Sequence, residues 1–206
     1  IINNIPIWGR TCNLTPFIPC INMTQKNQQD IFDLYDLMLE QLRDLYDGEM
    51  QQIKFLETQA DIAESFELIE FLTFHLKETK RQARRIQEVF DQLNESPEGE
   101  SCDGIKGLIK ESNKLADRCI NEEVRDAALI TAVQHINHYE MAGYGTAIAY
   151  AKTLERHEIA ELLLDTLREE KRADMGLSDL AENHINPDAT WSAIVKKVRT
   201  HTTPEA

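Results

Sequence analysis

Four long stretches of this 206-residue chain carry apolar residues at alternating steps of three and four, and each stripe turns ionisable near its middle. The first reads Tyr35, Met38, Leu42, Leu45, Glu49, Gln52 or Ile53, Leu56. The second reads Leu68, Leu72, His75, Thr79, Gln82, Ile86, Val89, with Glu78 one turn after His75. The third reads Ile130, Val133, Asn137, Glu140, Tyr144, Ala147, Ala151. The fourth reads Ala160, Leu163, Leu167, Glu170, Asp174, Leu177, Ala181. An unpaired charge in a core costs several kcal/mol. One misplaced acid could be an error of phase, but four helices interrupted alike need a common cause.

The periodicity predicts helices over about 28–59, 64–93, 122–154 and 157–185, with a shorter amphipathic helix over 102–119. Only 8 Gly and 6 Pro punctuate the chain, which favours long helices over strands. Short turns make the first pair and the last pair antiparallel hairpins. The polar loop 94–101 and the short helix between the pairs can run the length of a bundle, since an 18-residue helix rises about 27 Å. The expected class is all-α, a ferritin-like four-helix bundle whose long crossover carries an extra short helix. Three parts are expected: an irregular segment 1–24 broken by Pro6, Pro16 and Pro19, the bundle over 25–186, and a tail over 187–206 after Pro187.

The polar interruptions sit at matching heights. With the first turn near residue 62, Glu49 lies 13 residues before it and His75 to Glu78 lie 13 to 16 after it. With the second turn near 155, Glu140 and Glu170 each lie 15 residues away. Both hairpins can therefore pool their acids at one central level. Ionised, Glu49, Glu78, Glu140 and Glu170 repel one another, and two divalent ions balance their charge. Carboxylate oxygen with a little imidazole suits iron or manganese better than zinc. The candidate ligands are Glu49, His75, Glu78, Glu140 and Glu170, with Asp174 either a ligand or a group orienting one. Tyr144, one turn from Glu140, reads equally as a hydrogen-bond donor to the site or as a core tyrosine. His138 lies roughly 200° around the helix from Glu140 and is left out. His135, His157, His184 and His201 read as surface residues, the Arg-Asp pairs at 43–44 and 125–126 as structural ion pairs, and Gly143 and Gly145 as positions of close helix packing.

A net charge of −14 makes nucleic acid and anionic membranes poor partners. No apolar run approaches the roughly 18 residues of a membrane span, and the first 23 residues lack the pattern of a signal peptide. Cys12, Cys20, Cys102 and Cys119 show no metal-ligand spacing. They are expected to be free thiols in a reducing, cytoplasmic setting, with a Cys12–Cys20 link as the alternative.

The segments LRDLYDGEMQ (42–51), HLKET (75–79), CDGIKGLIKES (102–112), VRDAALITAVQHINHYEMAGYGT (124–146) and EEKRADMGLSDLAE (169–182) resemble the YciF-like bacterial stress proteins, in order, over about 25–190. The resemblance implies a ferritin-like bundle with a di-iron site, a homodimer, and a role in stress. By position, Glu49 matches the acid of the first helix, His75 and Glu78 the His-x-x-Glu pair of the second, Glu140 the acid of the third, and Glu170 with Asp174 those of the fourth. Two departures stand out. The usual ferritin-like order is Glu-x-x-His, reversed here. Asn137 stands where the family has an acid, and offers at most a neutral carbonyl oxygen. The function expected is a di-iron protein reacting with dioxygen or peroxide, an oxidase or peroxidase type of activity. Ferroxidase feeding iron storage, or a structural and partner-binding bundle with a degenerate site, are the alternatives.

Overall fold

The computed structural model of the chain describes residues 30–191. The bundle unit begins at Ile31. The segment 1–24 with Cys12 and Cys20, and the end of the tail with His201, lie outside the described residues. Five α-helices follow one another: α1 (Leu34–Ile62), α2 (Phe66–Leu93), α3 (Asp103–Ala116), α4 (Glu122–Thr153) and α5 (His157–Leu180), the last continued by a π-helical turn, Ala181–Ile185.

Local chemistry sets the ends. Asp33 caps α1 by accepting from the Asp36 amide at 2.9 Å, and Ser65 caps α2 by accepting from Leu68. α2 stops at Asn94, whose left-handed φ of 55° turns the chain out of the helix. The α1–α2 turn is pinned to α4 by buried Asp126, which accepts from the amides of Glu64 and Ser65. Asp126 is thus a cap for its neighbour and not the partner of Arg125. Arg43 likewise pairs with Glu95, not with Asp44.

The contacts between helices fix the topology. Gln52 meets Thr79 and Asn137, Gln82 meets Glu170, and Gln134 meets Asp174 and Ser178. Each neighbour pair around the square, α1–α2, α1–α4, α4–α5 and α2–α5, runs antiparallel. α2 and α4 are then parallel across the diagonal, so the chain between them must travel the whole length of the bundle. α3 makes that journey, packed on α4 and α1. Its start is tied down where the Cys102 amide donates to Asp47 at 2.8 Å and Gln51 donates to the Cys102 carbonyl. Tyr139 passes over Gly104 to donate to Asp44 at 3.0 Å; a Cβ at 104 would lie 2.5 Å from the ring.

Pro187 does not end the regular structure. After the π turn the helix resumes and runs through Trp191. The wider π turn just before it, in which the Asn186 amide donates to the Ala181 carbonyl, lets the helix accommodate a residue with no N–H.

The apolar core is split. One buried cluster, including Phe55, Leu72, Val133 and Leu177, fills the end near the α1–α2 turn. A second, including Met38, Leu45, Phe90 and Leu163, fills the other end. The expected stripes of α1, α2 and α4 are buried as read, from Met38, Leu68 and Ile130 onward. On α5 the buried line instead runs Leu163, Thr166, Glu170, Ala173, Leu177, Leu180. The step after Leu163 is three and not four, which turns Leu167 and Asp174 off the axis.

Close packing at Gly143 is real, and at Gly145 it is not. A Cβ on Gly143 would lie 2.8 Å from Leu45 Cδ2, whereas nothing lies within 4 Å of one on Gly145. Gly143→Ala is expected to destabilise the bundle by roughly 1–3 kcal/mol through overpacking. Gly145→Ala is expected to stabilise it by about 0.5–1 kcal/mol through helix propensity. Denaturant midpoints of the two variants would reveal the opposite signs.

Candidate metal centre

Between the two apolar clusters lies a polar layer. Glu49 and Gln52 enter from α1, His75, Thr79 and Gln82 from α2, Asn137 and Glu140 from α4, and Glu170 from α5; each is at most 1% exposed. Heptad-like spacing puts each on the inner face, and the antiparallel square puts them at one height.

Its hydrogen bonds leave a one-sided deficit. Tyr144 donates to Glu49 Oε1, and Gln82 Nε2 donates to Glu170 Oε1 at 2.7 Å. Tyr144 is therefore a donor to the site. Neither oxygen of Glu140 completes a well-formed hydrogen bond, although the Gln52 amide lies near enough to favour its ionised form, and Glu49 Oε2, Glu170 Oε2, Gln82 Oε1 and His75 Nδ1 are also buried without a partner. Asn137 Nδ2 and the distant Arg125 Nε are the only such donors among the described residues. Buried polar atoms are ordinarily paired, so the layer lacks positive charge or protons.

The histidine is oriented by its neighbours. His75 Nε2 lies 3.2 Å from Asn137 Oδ1, which can only accept. Nε2 therefore carries the proton, and Nδ1 holds a free lone pair. Gln52 Nε2 donates to the same Asn137 oxygen, and Thr79 donates to Gln52 Oε1. Asn137 thus serves as the acceptor that sets the tautomer, the role a carboxylate often plays behind a ligating histidine.

Electrostatics follow from burial. Burial first, then Glu170, pushes Glu49 well above the usual carboxylate range. Burial, then Glu49 and Glu170, does the same to Glu140. Burial raises Glu170 to about 8, and lowers His75 to about 4, so its ring is neutral. Without a cation, the acids hold protons.

Two of the six predicted ligands stand apart. Glu78, 7% exposed, bonds Arg81 at 3.2 Å on the α2–α5 seam. Asp174 receives Gln134 Nε2 at 3.1 Å and lies 3.3 Å from His138, at the α4–α5 seam. Sequence reasoning missed Glu169, which takes both Arg85 and Arg81. Its signal was faint, an acid beside Glu170 with two arginines spaced four apart on α2. Among the described residues no three His, Cys, Asp or Glu side chains converge closely enough to grip one ion. The donors are of the kinds that bind iron or manganese and share one level, but they do not converge while Tyr144 holds Glu49 and Gln82 holds Glu170.

An antiparallel helical square with one crossover and a buried mid-level carboxylate layer defines a ferritin-like bundle. The chain belongs to the family described as a domain of unknown function (DUF892), whose model matches residues 33–190. Protein YciF of Escherichia coli (strain K12) is 37% identical over 168 residues, 81% of this chain and 98% of that protein. The crystal structure of the E. coli stress protein YciF superposes with a TM-score of 0.72, covering 76% of this chain and 99% of that one. YcfI from Rhodopseudomonas palustris, described as a candidate structural protein, is 40% identical with a TM-score of 0.71, covering 73% and 96%. A Xanthomonas campestris protein, 18% identical, shares the fold, with a TM-score of 0.61 over 81% of this chain and 99% of that one. No helix among the described residues is long and apolar enough to cross a membrane.

Two outcomes follow. ¹⁵N spectra of the metal-free protein are expected to show His75 as the Nε2–H tautomer, and Asn137→Leu to lose that preference. Stability of the metal-free protein is expected to fall as pH rises from about 6.5 to about 8, measured by urea unfolding. In that window the unfolded acids are ionised while the folded ones keep protons, so the folded state binds more protons and loses ground as they become scarce. His75, whose folded value is depressed, adds stability with rising pH only below about 6.5.

Proposed function

We propose that this chain is an iron-binding carboxylate bundle with an oxidant-reactive role in stress response. The observation that carries the reading is the concentration of unpartnered acceptors, Glu140 Oε1 and Oε2, Glu49 Oε2, Glu170 Oε2 and His75 Nδ1, in one buried layer. Glu49, His75, Glu140 and Glu170 would hold the metal, and manganese has the same ligand preferences. When bound, iron supplies one-electron chemistry toward dioxygen or peroxide. The protein's own groups do the rest. Tyr144 orients Glu49 through its hydroxyl, Gln82 orients Glu170, Asn137 fixes the lone pair of His75, and the two apolar clusters keep bulk water out.

A second reading is a structural or partner-binding bundle whose site has been neutralised. It is favoured by three amides, Gln52, Gln82 and Asn137, in the layer and by the lack of convergence among the acids. Homodimerisation, expected from the resemblance, is compatible with both readings; a hollow multimer would favour iron storage.

Loading with ferrous iron under anaerobic conditions, followed by dialysis and metal analysis, separates them. Stoichiometric iron is expected in the parent and none in the Glu49→Ala, Glu140→Ala double variant. Two irons per chain would enlist Glu78 as a fourth acid, and one would match the three buried carboxylates. No iron in either protein would overturn the metal reading. In that case Glu49→Ala alone would leave stability unchanged or raise it, by removing a buried acid.

A further inference from the structure

Glu49, His75, Glu140 and Glu170 are each no more than 1% exposed, so a cation reaching them must cross the bundle wall. The α4–α5 seam is closed by groups with completed bonds, Gln134 donating to Asp174 at 3.1 Å and Ser178 at 2.9 Å. The α1–α4 seam is closed by Gly143 against Leu45, and by α3. The α2–α5 seam differs. There a line of polar atoms runs inward without a break. Arg81, its side chain 53% exposed, contacts Glu169 Oε1 at 3.3 Å. Glu169 Oε2 receives Gln82 Nε2 at 3.3 Å, and the same nitrogen donates to Glu170 Oε1 at 2.7 Å. At the inner end, Gln82 Oε1 and Glu170 Oε2 are buried and unpartnered.

We propose that this seam is the cation's way in, with Glu78 and Glu169 as the receiving carboxylates and Gln82 as the step to Glu170. The inference rests on the metal reading above. The two arginines have different jobs. Arg85, 17% exposed, grips both oxygens of Glu169 at 2.9 and 3.2 Å and holds it in place. Arg81 makes single contacts of 3.2 Å to Glu78 and 3.3 Å to Glu169 from a half-exposed position. Such a pair is worth little, so Arg81 swings out readily and leaves two carboxylates facing the arriving ion. Glu78, which the spacing singled out as a ligand, serves here on the path.

The test is stopped-flow binding of cobalt(II), followed by its visible absorption, with the final stoichiometry read separately. Glu169→Gln is expected to slow association by roughly tenfold or more, because it removes one of the two carboxylates that receive the ion once Arg81 has swung out, and leaves the arginines there in excess. Its final stoichiometry should match the parent. Arg81→Gln is expected to speed association. Glu57→Gln on α1 removes the same charge beside Lys80 of α2, away from the α2–α5 seam, and is expected to change nothing. Should Glu169→Gln fail to fold with Arg85 unpaired, Glu78→Gln leaves the Arg85 pair intact and is expected to slow entry as well. Parental rates in Glu169→Gln or Glu78→Gln, or equal slowing in Glu57→Gln, would overturn the route while leaving the metal reading intact. A parent that binds no cobalt would overturn both.

Discussion

Burying three carboxyl groups at one level of a helical bundle is the constraint from which the rest of this structure follows. Glu49, Glu140 and Glu170 lie at most 1% exposed, and an isolated buried carboxylate costs far more than a small domain's net stability. The bundle survives because apolar clusters on both sides of the layer hold the helices together independently of it. The helices must therefore be long enough to reach from one cluster, through the polar layer, into the other. The crossover is part of the same solution. A simple up-down-up-down chain also makes neighbours antiparallel, but it would place α4 beside α2. Sending α3 along the bundle instead puts α4 beside α1 and α5 beside α2. Tyr144 then reaches Glu49, and Gln82 reaches Glu170.

The amides in the layer help explain how the acids are tolerated without a cation. Tyr144 donates to Glu49, Gln82 donates to both Glu169 and Glu170, and Gln52 and Asn137 connect Thr79 to His75. None of these groups adds charge. Glu49 and Glu140 keep their protons because burial and mutual repulsion oppose ionisation. On the metal reading, protons and a metal ion would compete for the same oxygens, and either would remove the repulsion. The result is a layer in which several acceptors have no hydrogen-bond partner.

Much of this was legible in the sequence because inward stripes are written in strong letters. On α1, α2 and α4, leucines, isoleucines and valines flank the polar positions and fix the phase. On α5 the phase slipped. Leu167 is the more apolar residue, yet Thr166 faces the core and Leu167 is only partly buried. Small or polar residues such as Thr166 and Ala173 carry weak periodic signal, so Asp174 was drawn onto the axis when it lies at the α4–α5 seam. The Glu169–Arg85 pair was invisible for another reason. Its partners belong to different helices, and only the assembled square brings them together. Likewise Gly143 and Gly145 look alike in sequence, and only the approach of Leu45 tells them apart.

The position of Glu78 ties the wall of the bundle to its centre. Paired with Arg81 at the seam, it adds no uncompensated charge to the layer, whose own acids number three. Those three more than offset one divalent ion and fall short of two. On the metal reading, a second divalent ion would draw Glu78 away from Arg81, and the same departure would free the carboxylates of the proposed route. Filling the centre and opening the seam would then be one electrostatic event. Such a coupling would turn on Asn137: an acid there would complete the charge from within, and Glu78 could remain with its arginine.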